Sequence, residues 1–119
     1  MTVLIKGGTV VNADRSVRAD VLCEDGIITA VGENLDAPKG AKIVDAGGQY
    51  VMPGGIDPHA HIEQMSGMGQ WNADTFETAT RSAAMGGTTS VISFAAQARG
   101  QRLSDAAADY AARGERGAA

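Results

Sequence analysis

Apolar and polar positions follow two different rhythms along this chain, and the change falls near Pro53. Before it, apolar residues come in short clusters at Val3–Ile5, Thr9–Val11, Val21–Cys23, Ile27–Val31, Lys42–Val44 and Tyr50–Met52. Runs this short, with no helical recurrence and with turn-forming residues between them, predict strands. Asp25-Gly26 separates two of the runs, and both residues tolerate the positive φ of a two-residue hairpin turn, so a hairpin tip is expected there. Residues 1–52 are therefore read as one β domain, part of a β-sandwich.

From Pro53 onward the pattern becomes strand, loop, helix, strand, helix, the alternation of parallel β/α units. The first strand ends at His59 and His61, and the loop Gln64–Asn72 follows. Asp74, with Glu77 three residues on, predicts an N-cap and a reciprocal capping box. The helix that it opens has Phe76, Ala79 and Ala83 as its buried stripe, with Thr80 at the margin. Gly86-Gly87 ends that helix, because glycine accepts the left-handed conformation past a helix C-terminus. Thr88–Phe94 is rich in β-branched residues and predicts a strand. A second helix is expected from near Ser104, with Leu103, Ala107, Tyr110 and Ala111 on its apolar side.

Composition narrows the classes. Glycine is 16 of 119 residues, against a usual share of about 7%, and four Gly-Gly pairs at 7–8, 47–48, 54–55 and 86–87 read as plain turns. No Gly-x-Gly-x-x-Gly or Walker spacing turns any of them into a phosphate cradle. A net charge of −4 with scattered Lys and Arg argues against a nucleic-acid partner. No apolar run reaches spanning length and the N-terminus lacks a signal-peptide pattern, so a cytoplasmic protein without a membrane partner is expected. Cys23 is the sole cysteine, which excludes an internal disulfide, and its apolar neighbours predict a packed strand position.

The chemistry concentrates in Pro53–Glu63, which holds both histidines of the chain. Residues i and i+2 of a strand share a face, so His59 and His61 are expected side by side, with Asp57 and Glu63 in phase. Such a pair is half of a metal site. A histidine in isolation is more often packed or solvated than ligated, and His-x-His also arises by chance. The flanking Pro-Gly-Gly-Ile-Asp-Pro favours the ligand reading, since it sets the pair where an extended run stops and a polar loop begins. A catalytic zinc usually takes three protein ligands and keeps one position for water. Cys23 lies in the β half and completes the set poorly, while Asp57 is placed to orient a ligand from behind.

Val51–Glu63 resembles the first barrel strand of the cyclic amidohydrolases, most closely the dihydropyrimidinase and hydantoinase group. Leu4–Val11 is similar to that family's N-terminal strand, and Ala73–Arg81 with Gly86–Thr89 is similar to its first barrel helix and second strand, so the resemblance covers the whole chain. It implies an α/β protein: residues 1–52 as the N-terminal part of a composite β-sandwich, and residues 53–119 as the first two β/α units of a TIM-like (β/α)₈ barrel. A barrel needs about 250 residues, so the barrel is expected to be incomplete here and the chain to be an N-terminal fragment without activity of its own.

The same resemblance implies a metal-dependent hydrolase that opens a dihydropyrimidine or hydantoin ring by attack of metal-bound hydroxide. His59 and His61 would be ligands of the more buried of two zinc ions, other divalent metals being possible. The family's remaining ligands are a carboxylated lysine, two later histidines and a proton-shuttling aspartate. Lys6, Lys39 and Lys42 all precede the histidines, so no lysine here can play that part, and no catalytic residue is assigned within the chain. Dihydroorotase-like relatives carry an arginine where Glu63 stands, which favours an uncharged cyclic ureide. The loop Gln64–Trp71 occupies the place of the family's substrate gate; its Met65, Met68 and Trp71 either touch substrate or pack the loop onto the barrel rim. Homo-oligomers, often tetramers, are usual in the family. A non-catalytic scaffold relative is the competing class, which the retained histidines disfavour, and an allantoinase-like or dihydroorotase-like enzyme is the nearer alternative.

Overall fold

A computed structural model describes residues 1–119, and the chain divides into two compact units, Met1–Pro53 and Gly54–Ala119. The first is one mixed sheet. Strand β1 (Thr2–Val11) is central, antiparallel to β2 (Ser16–Glu24), which is antiparallel to β3 (Ile27–Gly32). On its other edge β1 runs parallel to β4 (Lys42–Asp45) and to β5 (Tyr50–Val51). These residues form a single sheet and not two facing layers.

The pair Gly7-Gly8 is not the expected turn. It is a bulge inside one continuous strand, where the register steps from Ile5↔Val21 to Gly8↔Ala19 and Gly7 adopts φ of 73°. A Cβ on Gly8 would stand 2.5 Å from Val51 Cγ2, so neighbouring strands close over the glycine. The bulge fuses the two expected strands at Val3–Ile5 and Thr9–Val11. β2 likewise runs well beyond Val21–Cys23, because backbone pairing to β1 continues under polar side chains. The hairpin tip at Asp25-Gly26 is present, with φ of 48° and 82°. Val10, Ala19 and Val21 make the core of this unit, joined by half-buried Ile5, Cys23 and Val51.

The second unit pairs β6 (Gly55–Ala60) in parallel with β7 (Thr88–Ser93), with α1 (Phe76–Met85) between them in sequence and α2 (Leu103–Gly117) after. Ala60, Ile62, Phe76 and Tyr110 form its core. The N-cap of α1 is Thr75, one residue later than expected, and Thr78 closes the capping box. Asp74 instead accepts from the Thr78 hydroxyl at 2.9 Å, and Glu77 pairs with Arg81 at 2.8 Å on the exposed face. Phe76 is buried, with Ala79, Thr80 and Ala83 half-buried beside it, and Gly86 caps the end while Gly87 takes φ of 85°.

The apolar stripe of α2 keeps Tyr110 from the expectation and is otherwise turned. Ala106 and Tyr110 are the buried residues, whereas Leu103, Ala107 and Ala111 are exposed. Two contacts set this rotation. The Tyr110 hydroxyl donates to the Ile62 carbonyl just past β6, and Gly114 and Gly117 make room for Phe76, whose atoms lie 3.3 and 3.1 Å from where their Cβ atoms would be. No helix is long and apolar enough to cross a membrane.

Candidate metal centre

His59 is the penultimate residue of β6 and His61 the first beyond it. Alternation sends Ala60 and Ile62 into the core, 8% and 5% exposed, and turns the two imidazoles to the opposite, open side. Their Nε2 atoms are 3.3 Å apart. The site therefore lies at the C-terminal end of a parallel strand, the end at which α/β folds place their ligands.

Phe94, immediately after β7, supports both rings. It stacks on His61 at 5.0 Å with an 8° tilt and meets His59 at 4.5 Å. Parallel pairing puts it there, since its N–H donates to the Ala60 carbonyl at 3.1 Å. Behind the strand, the Tyr110 hydroxyl donates to the Ile62 carbonyl at 2.5 Å and touches Ser93 Oγ at 2.7 Å, while Ser93 Oγ donates to the Ala60 carbonyl at 3.0 Å. The carbonyls of the two residues that alternate with the histidines are thus pinned. Sequence reasoning placed Ser93 and Phe94 only as strand residues and Tyr110 only as a helix residue. The available signal was that Ser93 and Phe94 end the neighbouring parallel strand.

The loop after the strand is closed on itself. Asn72 donates from Nδ2 to the His61 carbonyl at 2.6 Å and accepts the Gln64 N–H on Oδ1 at 2.7 Å. Its own N–H donates to the Gln64 carbonyl at 2.9 Å, Met65 pairs with Trp71, and Ser66 N–H donates to Gln70 at 2.7 Å. Gln64 Oε1 lies 2.9 Å from His61 Nδ1, a contact in which the imidazole N–H donates. An open concavity of about 520 Å³ lies between the loop and His61, lined by Gln64, Met65, Met68, Trp71 and Asn72 among others and by no Lys or Arg.

Asp57 and Glu63 take other parts than their phase in the strand implied. The Asp57 carboxylate accepts the backbone N–H of His59 at 3.0 Å, so it braces the main chain and not the ring. Glu63 has φ of 48°, which ends the strand period, and its carboxylate accepts the Phe76 N–H at 3.0 Å. There it meets the positive end of α1. Cys23 sits half-buried on β2, and no group of three or more His, Cys, Asp or Glu side chains comes together anywhere.

The donor set fits a borderline-soft divalent ion as far as it goes. Nitrogens 3.3 Å apart, each at the usual zinc distance of about 2.0–2.1 Å, subtend roughly 107° at the ion, close to tetrahedral. A proton on Nδ1 leaves His61 Nε2 with its lone pair directed into the gap.

Residues 50–114 match the sequence model of the amidohydrolase family. The chain is 47% identical over 105 residues to a dihydropyrimidinase of Dictyostelium discoideum, covering 88% of this chain and 21% of that protein. It is 48% identical over 106 residues to a D-hydantoinase of Geobacillus stearothermophilus, covering 89% and 22%. Among solved structures, a D-hydantoinase superposes with a TM-score of 0.87 at 43% identity, over 95% of this chain and 24% of that one. An L-hydantoinase (dihydropyrimidinase) from Arthrobacter aurescens superposes with a TM-score of 0.75 at 30% identity, over 94% and 24%. The chain spans about a fifth of the length of these curated relatives.

Proposed function

This chain belongs to the amidohydrolase family, and from that premise we propose that the protein opens a ring amide of an uncharged cyclic ureide, a dihydropyrimidine or a hydantoin. The carrying observation is the His59–His61 pair, with Nε2 atoms 3.3 Å apart at the C-terminal end of a parallel strand and beside an open concavity. His59 and His61 would hold a divalent ion there, zinc by the preference of imidazole, and that ion would supply an activated water at neutral pH and polarise the ring carbonyl.

The chain's own residues do the holding. His59 and His61 bind through Nε2, Phe94 walls both rings, and Gln64 with Asn72 fixes the backbone and ring of His61. Met65, Met68 and Trp71 face the concavity and suit an apolar ring substituent. A concavity without Lys or Arg suits a neutral ring better than an anionic one, and Glu63 is engaged at the start of α1. Two ligands do not make a hydrolytic site, so groups outside these 119 residues complete it. In the same reading β6 and β7 are the first two strands of a (β/α)₈ barrel, and the N-terminal sheet is one layer of a sandwich.

Ring opening of dihydrouracil and of a 5-substituted hydantoin, followed by loss of ultraviolet absorbance, tests the proposal on the complete protein. Activity that falls at least about 10²-fold in His59→Ala and on chelation supports it. Turnover indifferent to both would reject it.

A further inference from the structure

His59 and His61 share one gap, yet their outer nitrogens are treated unequally. His61 Nδ1 meets Gln64 Oε1 at 2.9 Å, whereas no hydrogen bond holds His59 Nδ1. A neutral imidazole carries its proton on one nitrogen only, and an amide oxygen can only accept. The His61 proton therefore sits on Nδ1, and the proton between the two Nε2 atoms belongs to His59. Gln64 is itself placed from both sides by Asn72, through the Gln64 N–H and carbonyl. Its Nε2 is buried without an acceptor, so the contact with His61 is the one hydrogen bond that the Gln64 side chain makes. Turned over, the amide would donate to His61 Nδ1 and drive the proton to Nε2, closing that nitrogen to a cation.

The geometry points to Gln64 as a positioning residue that sets the tautomer of His61 and so makes His61 the pre-set ligand of the pair. His59 must move its proton from Nε2 to Nδ1 before it can bind, a transfer that leaves its net charge unchanged. This inference rests on the reading of the pair as metal ligands, and its main test needs no metal.

Long-range ¹H–¹⁵N correlation of the imidazoles in the metal-free complete protein, at about pH 8 where an ordinary imidazole is neutral, reads each tautomer directly. Wild type and Gln64→Glu are expected to show His61 protonated on Nδ1, and Gln64→Met to show a mixture or the Nε2–H form. Zn²⁺ titration of the same samples should show affinity about tenfold lower in Gln64→Met and kept in Gln64→Glu. A wild-type His61 protonated on Nε2 overturns the inference by itself, whatever the variants do. So does a Gln64→Met spectrum identical to wild type. The expected tautomers with no Zn²⁺ uptake by any sample would overturn the metal reading while leaving the proton where Gln64 puts it.

Discussion

Asp20 is the only charged side chain among the buried residues, 4% exposed on β2. A buried carboxylate persists only when its lone pairs are used. Here the Gly7 N–H donates at 2.7 Å, the Leu35 N–H at 3.0 Å, and Lys6 stands 3.6 Å away. The Gly7 bond above all holds the carboxyl below its ordinary value of 3.8, with Leu35 and Lys6 adding to it against the opposing effect of burial. A group whose folded value is depressed stabilises above its unfolded value, and that contribution is lost as pH falls through the folded one. Urea midpoints measured downward from about pH 5 should therefore fall more steeply in wild type than in Asp20→Asn. Parallel curves would remove Asp20 from the account. The bulge explains why this was hidden: a period-2 reading shows Asp20 on a strand, but the Gly7 N–H becomes available only because the strand is interrupted there. For the same reason the histidine pair was legible from spacing alone, while Gln64, Asn72 and Phe94 were not. Their contacts depend on how a loop closes and which strand lies alongside.

At the scale of elements, the helices show what capping and packing each decide. The start of α1 was visible in Asp74-Thr75-Phe76-Glu77, but two neighbouring residues could both cap it, and Thr75 does so through Thr78. Thr75→Ala is expected to cost about 1 kcal/mol, and Asp74→Ala less, by chemical denaturation. Equal losses would argue for the other register. For α2, apolar periodicity found Tyr110 but misplaced the rest of the buried face, because Tyr110 answers to hydrogen bonds and Gly114 and Gly117 to the bulk of Phe76. Tyr110→Phe strips the Ile62 carbonyl of a buried donor and should cost about 1–2 kcal/mol. It should also perturb the His61 resonances, since the same bond anchors the end of β6. A variant as stable as wild type, with unmoved histidine signals, would show that the strand end is held by other means.

Over the whole chain, the parallel β6–β7 pair and an N-terminal β layer were both foreseeable, one from β/α alternation and the other from short apolar runs. The sheet's parallel edge was not, since β4 and β5 are short and their partner lies far away in sequence. Both units leave large apolar side chains open: Ile27, Ile28, Ile43 and Tyr50 in the first, and Ile56 and Ile92 in the second, each more than half exposed. Exposed apolar surface and unpaired strand edges promote association. Sedimentation of the 119-residue chain should accordingly show concentration-dependent self-association, and a monodisperse monomer at high concentration would contradict that expectation. With two ligands, the same chain should hydrolyse neither dihydrouracil nor a hydantoin above background.

The central claim is that His59 and His61 together hold a divalent ion through Nε2. Anomalous diffraction at the zinc edge, on crystals of the complete protein grown with Zn²⁺, tests it most directly. The account predicts a peak about 2.0–2.1 Å from both Nε2 atoms, absent in His61→Ala. A bound ion with neither histidine in its coordination sphere, or no peak at the pair while zinc occupies another site, would contradict it.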